Sequence, residues 1–330
     1  MNNKTWLKKG HIEETISSSI NIVEEIAKLK REKNAIVMAH YYQTNDIQDI
    51  ADFVGDSLAL AQKAEKTNAD IILLAGVHFM GETAKIISPE KKVLVPDLNA
   101  GCSLADSCQP RDFEEFLKSY PDHTVVTYVN TSAAIKAFTD VVVTSTNAKA
   151  IIDSFPKDEK IVFGPDRNLG NYINSITGRD MILWDGACHV HEKFSLEKIL
   201  ELKKSYPKAQ LIAHPECKKS ILIAANFIGS TAALLKYTRD SEVGEFIVAT
   251  ESGILHQMQM ASPQKNFIPA PPNDSTCACN DCEFMKLNSL QKIYLTLKYE
   301  WPEIDIEESI RIKALRPIQK MLELSNKLGL

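Results

Sequence analysis

Cys102, Cys188 and Cys282 stand one each at the ends of three successive stretches of this chain, and thiolates are the soft ligands of zinc and iron–sulfur chemistry. Three thiolates contributed by three related stretches would hold a metal centre on a pseudo-threefold axis with one coordination position left open, and chemistry happens at an open position. The third ligand is ambiguous from the residues alone. Cys277-Ala278-Cys279-Asn280-Asp281-Cys282 is a dense cluster that also reads as a zinc knuckle completed by a ligand from elsewhere. Cys108 and Cys217 read as small buried thiols.

Three polar triplets supply acid–base groups. His40-Tyr41-Tyr42, Tyr128-Val129-Asn130 and His214-Pro215-Glu216 each follow a short apolar run. On a strand, residues i and i+2 share a face, so His40 with Tyr42, Tyr128 with Asn130 and His214 with Glu216 are expected to point as pairs into one cavity. A single pair reads equally well as a strand end hydrogen-bonded to backbone. Three equivalent pairs around an open metal read as a site. Ser57, Ser145 and Thr231 lie seventeen positions after the first residue of each triplet, where helical patterns begin. There they act as plain N-caps or, because helix N-termini attract anions, as a grip on phosphate and carboxylate. His191, three residues past Cys188, is placed to reach the same cavity, while Glu82, Lys85 and Asp166-Arg167-Asn168 read as a solvated helix start and a turn network.

The elements that must position these groups repeat in register. Ala35–Ala39, Val125–Thr127 and Leu211–Ala213 lead into the triplets, and thirty-seven positions from each triplet's first residue lie Val77, Pro165 and Glu251. Each of these falls just past a second apolar run, Ile71–Ala75, Ile161–Phe163 or Phe246–Ala249, and a third run follows at Val93–Val95, Met181–Leu183 and Phe267-Ile268. Helical periodicity covers Ala59–Lys66, Ala148–Phe155 and Ala232–Tyr237. Short apolar runs alternating with helical patterns make βα units with a mostly parallel sheet. The expected fold is therefore three pseudo-symmetric, three-layer α/β domains. The first spans residues 1–102 with an N-terminal helix, the second 103–188 and the third 189–282; helices in 283–330 pack back on the first. Ile12–Lys30 and Ser309–Leu330 read as amphipathic helices. In parallel sheets ligands bind beyond the carboxyl ends of the strands, where the triplets, the Ser/Thr turns and the cysteines all lie.

Composition narrows the function classes. With 38 basic and 43 acidic side chains the net charge is −5, which provides no cationic field for nucleic acid or an anionic membrane. No apolar run approaches the roughly 20 residues of a bilayer span, and the start Met1-Asn2-Asn3-Lys4 has no signal-peptide core. Seven cysteines, an odd number, favour thiols or metal ligands over disulfides, as in the cytoplasm.

The chain resembles the quinolinate synthase (NadA) family over nearly its whole length. The resemblance is carried by His40-Tyr41-Tyr42-Gln43, Gly55-Asp56-Ser57, Phe79-Met80-Gly81-Glu82-Thr83-Ala84-Lys85 and Ala100-Gly101-Cys102-Ser103-Leu104-Ala105. It continues in Tyr128-Val129-Asn130, Gly164-Pro165-Asp166-Arg167-Asn168-Leu169-Gly170, Trp184-Asp185-Gly186-Ala187-Cys188-His189-Val190-His191 and His214-Pro215-Glu216-Cys217. Gly229-Ser230-Thr231, Thr250-Glu251-Ser252-Gly253-Ile254 and Cys282-Glu283-Phe284-Met285-Lys286-Leu287-Asn288 complete it. Glu283 departs from a usual proline and Ala232 from a common serine, but neither position carries a ligating or titrating group.

The resemblance implies three α/β domains around a [4Fe-4S] cluster held by Cys102, Cys188 and Cys282, and it is what selects Cys282 over Cys277 and Cys279. The implied reaction joins iminoaspartate to dihydroxyacetone phosphate and forms quinolinate with loss of phosphate and two waters, in NAD biosynthesis. The open iron is expected to act as a Lewis acid. Tyr42 and Glu216 are expected to move protons, with His40 and Tyr128 as further catalytic candidates. His40, Tyr128, Asn130, His191, His214 and Glu216 position the substrate, and Ser57, Ser145, Ser230 and Thr231 grip its anionic groups. Transient contact with an iminoaspartate-producing aspartate oxidase or dehydrogenase, and a regulatory disulfide between Cys277 and Cys279, remain open. Two other classes also stay open: a zinc-stabilised interaction protein, and a cluster-free sugar-phosphate enzyme of aldolase type.

Overall fold

A computed structural model describes residues 3–273 and 280–330. Three four-stranded sheets of the same topology account for the strands of the described residues. In the first, β1 (Ala35–His40), β2 (Phe53–Gly55), β3 (Ile71–Ala75) and β4 (Lys92–Leu94) run in the order β2-β1-β3-β4. The second holds β5 (Thr124–Tyr128), β6 (Val141–Val143), β7 (Ile161–Gly164) and β8 (Ile182–Leu183) in the order β6-β5-β7-β8. The third holds β9 (Gln210–Ala213), β10 (Phe227–Ile228), β11 (Glu245–Ala249) and β12 (Asn266–Pro269) in the order β10-β9-β11-β12. Every pairing within the sheets is parallel, as strands joined by helical crossovers require. The central strands are buried along almost their whole length, which is why they read as continuous apolar runs rather than alternating ones.

Identical hydrogen bonds tie the repeats together. The backbone N–H of Val37 donates to Asp52 Oδ2 at 2.8 Å, that of Val125 to Asp140 Oδ2 at 2.8 Å, and that of Leu211 to Asn226 Oδ1 at 2.8 Å. In return the amides of Asp52, Asp140 and Asn226 donate to the carbonyls of Val37, Val125 and Leu211. The same reciprocal clamp, twelve residues past each triplet's first member, satisfies the strand backbone just before β2, β6 and β10.

The units are not equivalent in their packing. One buried cluster runs through the first and second units and includes Met38, Leu74, Val126, Val142 and Phe163, whereas the third unit packs two clusters of its own. The long helix Glu308–Leu328 lies along the helices His78–Ile87, Ala133–Lys136 and Ala148–Ser154 and along β6, burying Ala314, Ile318, Met321 and Leu322. It thus bridges the first and second units rather than returning to the first alone, while the helix Leu290–Tyr299 packs on the first unit's Ile22–Glu32 helix and β3. The expected helix over Ile12–Lys30 is shorter than its periodicity suggests. It forms only over Ile22–Glu32, because the Ser17 hydroxyl accepts from the Ser19 amide upstream and Asn21 caps the start by accepting from Glu24. Among the described residues no helix is long and apolar enough to cross a membrane.

Candidate active site and metal centre

The three strand ends converge on one cavity. Its lining includes His40, Tyr42, Ser57, Tyr128, Asn130, Ser145, His191, His214, Glu216 and Thr231 together with Cys102, Cys188 and Cys282. Val77, Phe79, Met80 and Met285 form its apolar wall.

Each cysteine sits at or near the start of a short helical turn, Ser103–Asp106, His189–Glu192 or Met285–Leu287. The backbone N–H groups of Leu104 and Ala105 donate toward the Cys102 sulfur, that of His191 toward Cys188, and those of Phe284 and Met285 toward Cys282. Burial opposes these donors and wins in the free thiols: Cys102 is pushed up to about 12, Cys282 to about 11, and Cys188 well above the usual thiol range. Three thiols that burial keeps neutral, yet toward each of whose sulfurs at least one backbone N–H is directed, suit a cationic centre that compensates the thiolate charge. The donor set therefore fits a three-thiolate cluster. The ligand loops are also joined to one another. The Ser103 hydroxyl lies 2.5 Å from His189 Nδ1, and the buried Glu251 carboxylate accepts from the Cys282 amide at 3.1 Å and pairs with Lys286 at 2.8 Å. Cys188, His191 and Glu216 form a candidate metal-binding group, with donor atoms all within 4.8 Å of one another. Cys108 and Cys217 are buried and do not line the cavity; Cys217 Sγ donates to the Ala249 carbonyl. Cys277 and Cys279, with the zinc knuckle and disulfide read from them, lie outside the described residues.

The polar pairs reach the cavity by a different route from the one expected. Strand β1 ends at His40 and β5 at Tyr128, and the second member of each pair lies beyond the strand. A turn aims it instead: the Tyr42 amide donates to His40 Nδ1 at 3.1 Å and the Glu216 amide to His214 Nδ1 at 3.4 Å. Burial keeps His40 and His214 neutral, each lowered to about 3. Burial and the Glu216 charge raise Tyr42 and Tyr128 well above the usual phenol range. The Tyr42 hydroxyl is held between Thr231 Oγ1 and Thr250 Oγ1, at 2.8 Å from each.

Burial also disfavours charge on Glu216, but the His191 ring, whose Nδ1 lies 2.8 Å from Oε2, outweighs it and, with the Tyr128 hydroxyl, holds the carboxyl down at about 2. Its buried neighbour Asp166 is pushed the other way, by burial and by the Glu216 charge, despite accepting the amides of Leu169 and Cys188. Of the two carboxyls, Glu216 is the anion and Asp166 the acid. The turn network read at Asp166-Arg167-Asn168 is thus the cap of the helix Arg167–Thr177 and an anchor for the Cys188 backbone.

Ser57 and Thr231 are not the caps of their helices. Asp56 accepts from Ala59 and Ser230 from Ala233, which leaves Ser57 and Thr231 in the first turn facing the cavity. Ser145 lies two residues before its helix's cap, Asn147, and its hydroxyl stands 3.2 Å from His214 Nε2. Ser230 is placed differently from the grip expected of it. Its hydroxyl caps the helix and accepts from Thr146 Oγ1 at 2.8 Å, and it lines an outer cleft rather than the cavity. Among the described residues the buried Asn130 Oδ1 has no partner, and Asn130 lines the cavity.

Thr250, Glu251 and Lys286 stood in the family motifs but were not read as site residues. The thirty-seven-position landmark had reached Glu251, and the strand end beside it was the available signal. The same loop approaches the first triplet closely. A Cβ on Gly253 would stand 2.8 Å from the Tyr41 oxygen and from Tyr42 Cα. Gly253→Ala is therefore expected to displace the Tyr42 backbone, to lower turnover about 10²-fold and to lower the unfolding temperature as well, because the atoms it meets are backbone; steady-state kinetics beside calorimetry checks it.

A triplicated parallel α/β protein whose units jointly enclose a thiol-lined, titratable cavity defines an enzyme of the metal-centre class. Comparison with known proteins makes this particular. The family described as "Quinolinate synthetase A protein" matches residues 24–323. A quinolinate synthase of Trichormus variabilis is 60% identical over 307 residues, covering 93% of this chain and 94% of that protein. Quinolinate synthases of Thermosynechococcus vestitus and Chloroherpeton thalassium are 57% and 56% identical, each over 93% of this chain and 96% of the relative. The chain belongs to the quinolinate synthetase A family.

Proposed function

We propose that this protein joins iminoaspartate to dihydroxyacetone phosphate, releasing phosphate and two waters to form quinolinate for NAD synthesis, at a [4Fe-4S] cluster held by Cys102, Cys188 and Cys282. The observation that carries this reading is the meeting of three thiols, one per unit, with Glu216 and Tyr42 in one cavity. On this reading the units close at residues 102, 188 and 282, each on its own ligand.

When bound, a cluster with one iron free of protein ligands supplies Lewis-acid help for a substrate hydroxyl leaving as water. The remaining work falls to the side chains. Glu216, anionic and hydrogen-bonded by Tyr128, takes a proton from carbon in isomerisation and ring closure. Tyr42, whose proton burial retains, returns one to a leaving oxygen, and the hydroxyls of Thr231 and Thr250 fix its position. Neutral His40 and His214 present N–H donors to developing enolate oxygen without adding charge. Ser57, Ser145 and Thr231 hold phosphate in the early step and carboxylate later; Asn130 accepts from a substrate N–H or O–H, and His191 orients Glu216. The apolar wall keeps water from the imine. Because imines hydrolyse in water, delivery by an aspartate oxidase or dehydrogenase in the cytoplasm suits this substrate.

Anaerobic purification tests the reading. We expect a brown protein with about four iron and four sulfide per chain that makes quinolinate from the two substrates. A colourless protein with stoichiometric zinc would instead place one ion on Cys188, His191 and Glu216, and would defeat it.

A further inference from the structure

The side chain eight residues past the first member of each triplet stands out. In the first block it is Gln48, on the helix Asn45–Ile50; in the second it is Lys136, at the end of the helix Ala133–Lys136. Both are buried, Gln48 at 3% exposure and Lys136 at 0%. Gln48 Nε2 donates to the carbonyls of Tyr41, at 3.0 Å, and Gln43, at 2.8 Å. Lys136 Nζ donates to the carbonyls of Val129, at 2.9 Å, and Thr131, at 2.5 Å. Two chemically different side chains thus make the same pair of bonds, to the carbonyls one and three residues past the triplet's first member. Those carbonyls flank Tyr42 in the first loop and Asn130 in the second.

Burying an ammonium group is costly unless bonds compensate it, and among the described residues no hydrogen bond or ion pair of Lys136 goes to a carboxylate. Its acceptors are the two carbonyls and Thr131 Oγ1, and the Phe79 ring lies 5.5 Å away. Burial brings its pKa down to about 8, opposed chiefly by the charge of Glu82. Gln48 spends a third contact on the Gly253 carbonyl at 2.9 Å, which ties the first loop to the third unit. The equivalent residue of the third block, Leu222, has no donor. There the loop is pinned from outside, by Asn168 Nδ2 donating to the Glu216 carbonyl at 3.1 Å.

We propose that Gln48 and Lys136 are positioning residues for the reaction, each fixing the loop that carries the polar groups of its own block: Tyr42 for Gln48, and Tyr128 with Asn130 for Lys136. The catalytic part of this inference rests on the function proposed above; the loop-fixing part does not. Neither residue touches the cavity, so each acts only through the backbone it holds.

The test uses the reconstituted full-length protein and reads amide hydrogen exchange together with turnover. Lys136→Met keeps the length of the side chain and removes its donors. Peptides covering 129–131 should exchange at least about tenfold faster and kcat should fall about 10²-fold, with iron content and the exchange of 41–43 unchanged. Gln48→Leu should do the reverse, loosening 41–43 and sparing 129–131. Lys136→Gln, which installs the side chain the first block uses, should recover protection and bring kcat to within about threefold of the parent. Unchanged exchange in the variant's own loop, or Lys136→Gln behaving no better than Lys136→Met, overturns the inference. A parent protein that makes no quinolinate defeats the functional reading instead, and the exchange result still decides whether the two side chains fix their loops.

Discussion

Glu216→Gln is expected to lower quinolinate formation about 10³-fold while leaving the fold and the iron content intact. The amide keeps the shape of the carboxylate and one oxygen acceptor for Tyr128, so it removes the charge and the capacity to take a proton and little else. In the parent the negative charge is maintained against burial by the His191 ring 2.8 Å away and by the Tyr128 hydroxyl, which keep the carboxylate in its proton-accepting form. The substitution also relieves Asp166, whose pKa is raised in part by the Glu216 charge. Asp166 should therefore ionise more readily in the variant, and because it anchors the Cys188 amide, iron content must be measured in the same samples. Turnover within about tenfold of the parent would remove Glu216 from the proton work, since acid–base groups contribute 10² or more.

Cys188→Ser should abolish the cluster and all quinolinate formation, and Cys102→Ser and Cys282→Ser should do the same. A hydroxyl of serine cannot replace a soft thiolate, and with two ligands left the donor set no longer holds a cubane. The controls are the other thiols. Cys108→Ser should retain iron and activity, because that sulfur is buried outside the cavity. Cys277→Ser and Cys279→Ser should retain most of both. Loss of iron in Cys279→Ser with retention in Cys282→Ser would mean that the third ligand has been misassigned.

The threefold repeat was legible because its register lives in local chemistry. Apolar runs, turn residues and helix starts recur at fixed offsets, and the Asp52, Asp140 and Asn226 clamps show the same offset expressed as hydrogen bonds. The helix over Ile12–Lys30 was overextended for the converse reason. Periodicity alone cannot report that Ser17 and Asn21 offer the backbone other partners. Ser230 and Thr231 were indistinguishable as neighbours in the chain, and the helix geometry separates them: one caps, the other faces the cavity.

The residue types and their spacing by themselves determined the triplicated parallel α/β units and the placing of three polar pairs and three thiols at the strand ends, while the family motifs single out Cys102, Cys188 and Cys282 as the proposed ligands. Only the tertiary structure decided which groups carry charge. Glu216 is the anion and Asp166 the acid because one is surrounded by imidazoles and a phenol while the other faces that charge in the same buried space. It alone also disclosed that Gln48 and Lys136 do equivalent work, since a glutamine and a lysine share no sequence signature. Secondary structure follows from neighbours within a few residues, whereas ionisation and the satisfaction of buried carbonyls depend on which surfaces meet and how far water is excluded from between them.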